Sequence, residues 1–93
     1  MIFAVLFADV PDGHTLRQAH ITAHLDFLEA HSAEIKAAGP LDRAAGGGLW
    51  LVEAQDQSQV EALVREDPFW AAGLRADVEI APWRRVFADG ERL

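Results

Sequence analysis

The segment Ile2-Phe3-Ala4-Val5-Leu6-Phe7-Ala8 is an uninterrupted apolar run. Successive side chains of a β-strand point to opposite faces, so a strand of this composition is apolar on both faces and both faces must be covered. A second run of the same kind, Leu49-Trp50-Leu51-Val52-Glu53-Ala54, lies in the middle of the chain. The two runs predict the central strands of a sheet.

A long helix and a turn are predicted between these two strands. The longest helix-compatible stretch runs from about Thr15 to Ala38, where Gly39-Pro40 gives the usual order of a helix terminator and a helix breaker. A short strand is expected over residues 41–44. Gly46-Gly47-Gly48 then supplies a flexible hairpin turn.

The second half of the chain predicts another helix and another strand. Ser58 and Glu61 fit a capping box at a helix start. Asp67-Pro68 ends that helix, since a residue before proline avoids the helical region. Residues 76–80 alternate apolar and acidic side chains, which is typical of a half-buried strand. An exit strand or arm is expected over residues 82–87.

The predicted order, β-α-β-β-α-β, is typical of an α+β ferredoxin-like plait, in which a four-stranded antiparallel sheet carries two helices on one face. The other face would be bare although its strands are apolar there. We therefore expect a homodimer, a dimeric α+β barrel closed through that face. Residues 1–88 would form the domain and residues 89–93 a C-terminal tail.

The composition excludes several function classes. The chain has 93 residues, enough for one domain. Lys and Arg number 8 against 15 Asp and Glu, and a net charge of −7 disfavours nucleic acid and anionic membrane surfaces as partners. There is no cysteine, which excludes thiolate chemistry and cysteine metal sites. No secretion signal or spanning segment is evident, so we expect a cytoplasmic protein, and we expect no cofactor.

Polar side chains on the apolar side of the long helix are the candidate site. Steps of about 100° per residue place His20, His24, His31 and Arg17 inside or beside the apolar sector, where they must find partners or face a cavity. For each histidine taken alone, the favoured interpretation is a packed side chain that is hydrogen-bonded to a carbonyl or a carboxylate. His20 and His24 also have the i, i+4 spacing of metal ligands, but a third ligand is lacking, and we predict no metal site.

Asp67 has two interpretations. It can cap the turn that begins at Pro68, with proline at the first helical position. It can also orient a histidine and stabilise its imidazolium. The sequence alone favours the cap.

The ordered set of landmarks resembles the YciI-like (YCII-related) family from residue 2 to about residue 87. The matching segments follow the first strand and are His24-Leu25, Ala38-Gly39-Pro40, Val52-Glu53-Ala54, Asp67-Pro68-Phe69, Ala72-Gly73-Leu74, Pro82-Trp83 and Val86-Phe87. The resemblance implies a dimeric plait and an active site that pairs His24 with Asp67.

The resemblance has one departure, because family members commonly carry an arginine three residues before the histidine and this chain has Ile21. Either His20 partly takes the place of that arginine, or the charge of the ligand differs. Arg17 is near enough to bind an anionic group of the ligand. Pro40 and Trp83 are further expected substrate contacts.

The implied function is that of a small-molecule enzyme. His24 and Asp67 would act as an acid–base dyad in an apolar pocket, in an elimination, isomerisation or hydrolysis of a cyclic or aromatic compound. The alternative is a non-catalytic dimeric domain that binds a small ligand or serves as an accessory.

Overall fold

Four antiparallel strands and the helices on one face of their sheet form the body of the molecule. The computed structural model describes residues 1–93. Its elements are β1 (Ile2–Asp9), α1 (His14–Ala30), β2 (Ile35–Pro40), β3 (Gly48–Glu53), α2 (Gln57–Glu66), α3 (Pro68–Ala71), β4 (Arg75–Pro82), β5 (Phe87–Ala88) and β6 (Glu91–Arg92). The sheet order is β2-β3-β1-β4, the order of a ferredoxin-like plait. The predicted α+β fold is confirmed.

The core lies between the sheet and the helices. Alternate residues of the two central strands point into it: Phe3, Val5 and Phe7 from β1, and Trp50 and Val52 from β3. The apolar stripe of α2 and part of α1 pack against them, with Val60, Leu63, Val64, Phe27 and Leu28. The strict alternation along β1 and β3 is what fixes which face meets the helices.

The second face of the sheet is not covered within the chain. Leu6, on the central strand β1, keeps 42% of its surface exposed, and its cross-strand neighbour Leu49 is only half-buried. Leu51 lies on the same face as these two. The structure contains a single chain, so the expected cover of this face by a second copy stays a prediction.

The predicted end of the first helix at Ala38 is wrong. α1 ends at Ala30, where the N–H of His31 returns to carbonyls of the last turn, and residues 35–40 form β2. The segment has helix-forming residues, but Ile35 is buried where it pairs with Val52 of β3. Pairing in the sheet thus overrides local propensity. Gly39-Pro40 closes a strand at the sheet edge, where a missing N–H is tolerated.

The predicted strand over residues 41–44 is also wrong, because these residues belong to the loop between β2 and β3. The turn role of the glycines holds at Gly46 and Gly47, whose φ angles are 66° and 103°. A Cβ atom at Gly47 would clash with the carbonyl oxygen of Phe7. Only glycine lets this loop lie so close to β1.

The capping box at Ser58 and Glu61 is not formed. α2 starts at Gln57, and Asp56 is its N-cap, accepting a hydrogen bond of 3.0 Å from the N–H of Gln59. The carbonyl oxygen of the Gln59 side chain in turn accepts from the N–H of Gln55 at 2.8 Å. An aspartate at the right position caps the helix earlier than the serine would.

The strand predicted over residues 76–80 is longer in the structure, and a separate two-stranded ribbon follows it. β4 spans Arg75–Pro82, and β5 pairs with β6 in a separate two-stranded ribbon. The division into a domain of residues 1–88 and a tail of residues 89–93 stays a prediction. β6 lies within that tail. None of the helices is both long enough and apolar enough to cross a membrane.

Candidate active site

A buried histidine–aspartate pair joins α1 to the start of α3. Nδ1 of His24 lies 2.7 Å from Oδ1 of Asp67, and the two side chains are 8% and 2% exposed. A carboxylate only accepts, so Nδ1–H donates and the second ring nitrogen, Nε2, is left as the basic atom. The pair therefore has the arrangement in which a carboxylate orients an imidazole for proton transfer.

The same oxygen of Asp67 also caps α3. Oδ1 accepts a hydrogen bond of 3.1 Å from the N–H of Phe69, and Pro68 occupies the first helical turn. One atom, Oδ1 of Asp67, thus both caps α3 and accepts from His24. The backbone of α3 fixes the position of the carboxylate, and the carboxylate in turn fixes the orientation of the His24 ring.

Phe69 lies against three side chains of the site, those of His24, Arg17 and Arg75. Its ring stacks on His24, with 4.0 Å between the ring centroids and 15° between the planes. The guanidinium carbons of Arg17 and Arg75 each lie 5.2 Å from its centroid. A fully buried aromatic face attracts cations, so this ring stabilises the two guanidinium groups.

Asp9 at the end of β1 links two arginines. Its carboxylate accepts a hydrogen bond of 2.8 Å from Nη2 of Arg17 and one of 2.9 Å from Nη1 of Arg75. Arg17 also donates to the carbonyl oxygen of Gly47 at 3.3 Å. Arg75, whose side chain is 3% exposed, lies over the ring of Phe7 at 4.1 Å. The cluster ties β1, α1, β4 and the glycine loop together.

The charges of this cluster shift each other's ionisation. Burial alone would raise the pKa of Asp9, but hydrogen bonds from Arg17, the Gly47 backbone and Arg75 outweigh it, and the pKa is lowered. Burial lowers the pKa of Arg75, and the partnership with Asp9 only partly offsets this. A guanidinium nevertheless stays protonated at neutral pH. Asp9 and Arg75 are therefore both charged at neutral pH.

A cavity of about 110 Å³ lies beside the His24–Asp67 pair, between α1, β4 and the edge of the sheet. Its wall consists of Arg17, Ile21, His24, Leu28, Ala38, Gly39, Pro40, Trp50 and Arg75. Because Nδ1 of His24 is hydrogen-bonded to Asp67, Nε2 is the ring nitrogen left for a molecule in this cavity.

The sequence-predicted site residues are only partly brought together. His24, Arg17 and Pro40 line the cavity and Asp67 supports His24. His20 is not part of the wall. Trp83, which is 44% exposed beyond the end of β4, does not reach the cavity either.

A wider cleft of about 530 Å³ shares Arg17 with the cavity but does not contain His24. Asp9, Asp12, His14 and Arg43 are among its polar walls. The chain has no cluster of three or more histidine, aspartate or glutamate side chains placed to hold a metal ion.

Arg75 and Asp9 are site residues that the sequence analysis missed. Asp9 is in phase with Phe3, Val5 and Phe7, so strand alternation already places it on the helix side. Arg75 is out of phase with the apolar residues of β4. The ladder steps from Ala8–Asp77 to Asp9–Arg75, and this bulge turns Arg75 to the helix side.

Comparison with protein families decides the membership of this chain. A model of the YCII-related domain matches residues 1–84. The chain belongs to the YCII-related family. Ile21 lies on the cavity wall, and the second guanidinium of that wall comes from Arg75 of β4. No curated protein sequence gives a match.

A solved structure of similar fold is an enzyme. 5-Chloro-2-hydroxyhydroquinone dehydrochlorinase from Burkholderia phenoliruptrix, in complex with 2,5-dihydroxybenzoquinone, superposes with a TM-score of 0.83. It is 30% identical in sequence, and the match covers 90% of this chain and 94% of that one. That enzyme is named for the removal of hydrogen chloride from a chlorinated hydroxyhydroquinone. The present chain has the buried pair His24–Asp67.

Proposed function

We propose that this protein is a cofactor-independent enzyme that eliminates an acid, such as hydrogen chloride, from a small hydroxylated ring. The observation that carries the proposal is the buried His24–Asp67 pair on the wall of the cavity. The similarity to a dehydrochlorinase supports elimination over isomerisation or hydrolysis. His24 is the acid–base group, and Asp67 positions it.

The elimination needs two proton transfers, and one imidazole can serve both. First, Nε2 of His24 takes the proton of a ring hydroxyl and returns it to the ring carbon that bears the halogen, which gives a keto tautomer. Next, Nε2 takes the proton of a second hydroxyl, and the halide leaves with the electron pair of its bond to carbon. The products are a quinone, the halide and a proton, so the atoms and electrons balance.

The size of the cavity limits how the ring is held. An apolar cavity of about 150 Å³ holds a benzene molecule, whereas this cavity measures about 110 Å³. It therefore encloses the hydroxyl-bearing edge of a ring, and the remainder lies against the strand residues Ala38, Gly39 and Pro40. Trp50, which is 1% exposed, provides a flat apolar wall of the cavity.

The active form in this proposal is a homodimer. The uncovered sheet face carries Leu6, Leu49 and Leu51, and a hollow of about 250 Å³ on that face shares Ala38, Gly39 and Pro40 with the cavity. A second copy packed on this face removes the leucines from water. It also supports the thin edge strand that forms one wall of the site.

Chloride release from a chlorinated hydroxyhydroquinone tests the proposal. We expect the wild type to release chloride and His24→Asn to be slower by about 100-fold or more, the contribution of a positioned acid–base group. His31→Asn is the matched control, because His31 lies past the end of α1 near Glu66 and not in the cavity. Equal rates for wild type and His24→Asn contradict the proposal. Binding without turnover by the wild type favours the ligand-binding alternative.

A further inference from the structure

Arg75 is buried with an unused hydrogen-bond donor. Its Nε is the one buried side-chain nitrogen or oxygen in the chain that has no hydrogen-bond partner. Nη1 is taken by Asp9, and Nη2, like Nε, makes no hydrogen bond, while the side chain as a whole is 3% exposed and lines the cavity. A buried guanidinium with unused donors costs free energy, so its place on the cavity wall points to a ligand that supplies an acceptor.

The fixed charges around the cavity cancel. Arg17 and Arg75 are matched by the carboxylates of Asp9 and Asp67, each of which contacts or faces a member of the group. With a neutral His24 the site therefore has no surplus positive charge. Burying a further negative charge among these groups without compensation is expensive.

No other charge nearby changes this balance. His20 lies on α1 but not on the cavity wall, and the pair His31–Glu66, at 3.8 Å, is at the other end of the helix with Glu66 61% exposed. Arg43 lies in the wider cleft and donates to the carbonyl of Gly46. The walls from β2 and β3 are uncharged: Ala38, Gly39, Pro40 and Trp50.

We infer that the cavity binds its ligand as a weak acid with its proton, a phenol in chemical class, and that Arg75 holds the phenolic oxygen while His24 holds the proton. In the bound state the O–H bond breaks, Nε2 of His24 gains the hydrogen, and the oxyanion accepts from Arg75. No proton leaves the site, so its net charge does not change. The inference rests on the proposed function for the assignment of this cavity as the ligand site and of Nε2 of His24 as the atom that takes the hydroxyl proton.

The inference separates phenols from permanent anions of the same size. A phenol brings the proton that charges His24, whereas a benzoate must draw that proton from solution. Benzoate binding therefore takes up one proton and weakens as pH rises. Phenol binding exchanges no proton with the buffer at a pH where the free phenol is protonated and His24 of the free protein is neutral.

Calorimetric titration in buffers of different ionisation enthalpy counts these protons directly. The probes are 4-nitrophenol, whose phenolate absorbs visible light, and benzoate. At a pH below the pKa of free 4-nitrophenol, and at which NMR shows His24 of the free protein to be neutral, we expect a phenolate absorption band on binding with no net proton exchange, and uptake of one proton with benzoate. Release of a proton with 4-nitrophenol, or benzoate binding without uptake, overturns the inference.

Substitution of Arg75 tests its part in holding the oxygen. In Arg75→Met we expect the phenolate band of bound 4-nitrophenol to be lost and its affinity to fall at least tenfold. Arg84→Met is the matched control, since Arg84 is exposed and outside the cavity. A phenolate band that survives in Arg75→Met contradicts the assignment to Arg75. If that variant does not fold, the proton counts on the wild-type protein decide alone.

The two proposals fail separately. Proton counts as expected without chloride release reject the elimination and leave the inference standing. Chloride release together with anion binding that takes up no proton rejects the inference and leaves the elimination standing.

Discussion

At the scale of single residues, Asp67 connects the fold to the chemistry. Its Oδ1 caps α3 through Phe69 and accepts from His24. The residue is 2% exposed, so neither hydrogen bond competes with bulk water. The position of the carboxylate is therefore set by the backbone of α3, and the tautomer of His24 is set by the carboxylate.

Asp67→Asn separates these two tasks. The asparagine side-chain oxygen still accepts from the N–H of Phe69, but the amide no longer stabilises a charged His24. We expect turnover of a chlorinated hydroxyhydroquinone to fall by about 100-fold or more while the fold is kept. Steady-state chloride release and circular dichroism measure the two effects. Asp56→Asn, which changes the N-cap of α2 outside the site, should retain turnover; a similar loss there would point to a general effect on folding.

Asp9 makes the stability of the protein depend on pH. Because its pKa is lowered in the folded state, Asp9 contributes stability that is present above the ordinary aspartate pKa of about 3.9 and is lost as the pH falls through the lower folded-state value. Asp9→Asn leaves Arg17 and Arg75 without their shared carboxylate. We expect it to reduce the free energy of unfolding by about 3 kcal/mol at neutral pH.

Urea unfolding across the acidic range measures this dependence. The difference between wild type and Asp9→Asn should shrink below about pH 4, as wild-type Asp9 takes up its proton. Asp77→Asn, an exposed aspartate on β4, is the control and should change little. A difference that stays constant with pH would show that Asp9 acts through packing and not through charge.

At the scale of elements, the loop between β2 and β3 is held against β1 by Gly47. This residue has a φ of 103° and gives Arg17 a backbone acceptor. In Gly47→Ala the new methyl group meets the carbonyl oxygen of Phe7, so we expect a loss of more than about 1 kcal/mol in the free energy of unfolding. Gly39→Ala, where a Cβ atom meets nothing within 4 Å, should change it much less. Chemical denaturation of both variants compares them, and equal losses would contradict the account.

The same scale shows what the sequence could and could not predict. The patterns of β1, β3 and β4 are strong because one face of each is buried, and their existence was predicted. The end of α1 was not, because no glycine or proline marks Ala30 and only the pairing of Ile35 with Val52 turns the next segment into a strand.

The candidate site follows a similar rule. His24 and Asp67 were predicted from their segments, and the structure places them 2.7 Å apart. Arg75 was not predicted, since simple alternation puts it on the outer face with Asp77 and Glu79. The bulge that redirects it is a property of the ladder between β1 and β4, and local sequence does not encode it visibly.

At the scale of the whole molecule, the uncovered sheet face predicts the oligomeric state. Leu6 lies on a central strand and is 42% exposed, so a glutamate there places a charge in the centre of the proposed dimer interface. We expect the wild type to have the mass of a dimer and Leu6→Glu that of a monomer in sedimentation analysis. Val86→Glu, on an exposed residue beyond β4, is the control and should stay dimeric. A monomeric wild type at all concentrations contradicts the proposed dimer.

The central claim is that Nε2 of His24 is the basic atom that meets the ligand. Nitrogen-15 NMR of the imidazole side chains measures this directly, before and after addition of 4-nitrophenol. We predict that the free protein has Nδ1 protonated and Nε2 unprotonated on His24, and that Nε2 becomes protonated when the ligand binds. A proton already on Nε2 in the free protein, or a His24 resonance that the ligand does not change, would contradict the account.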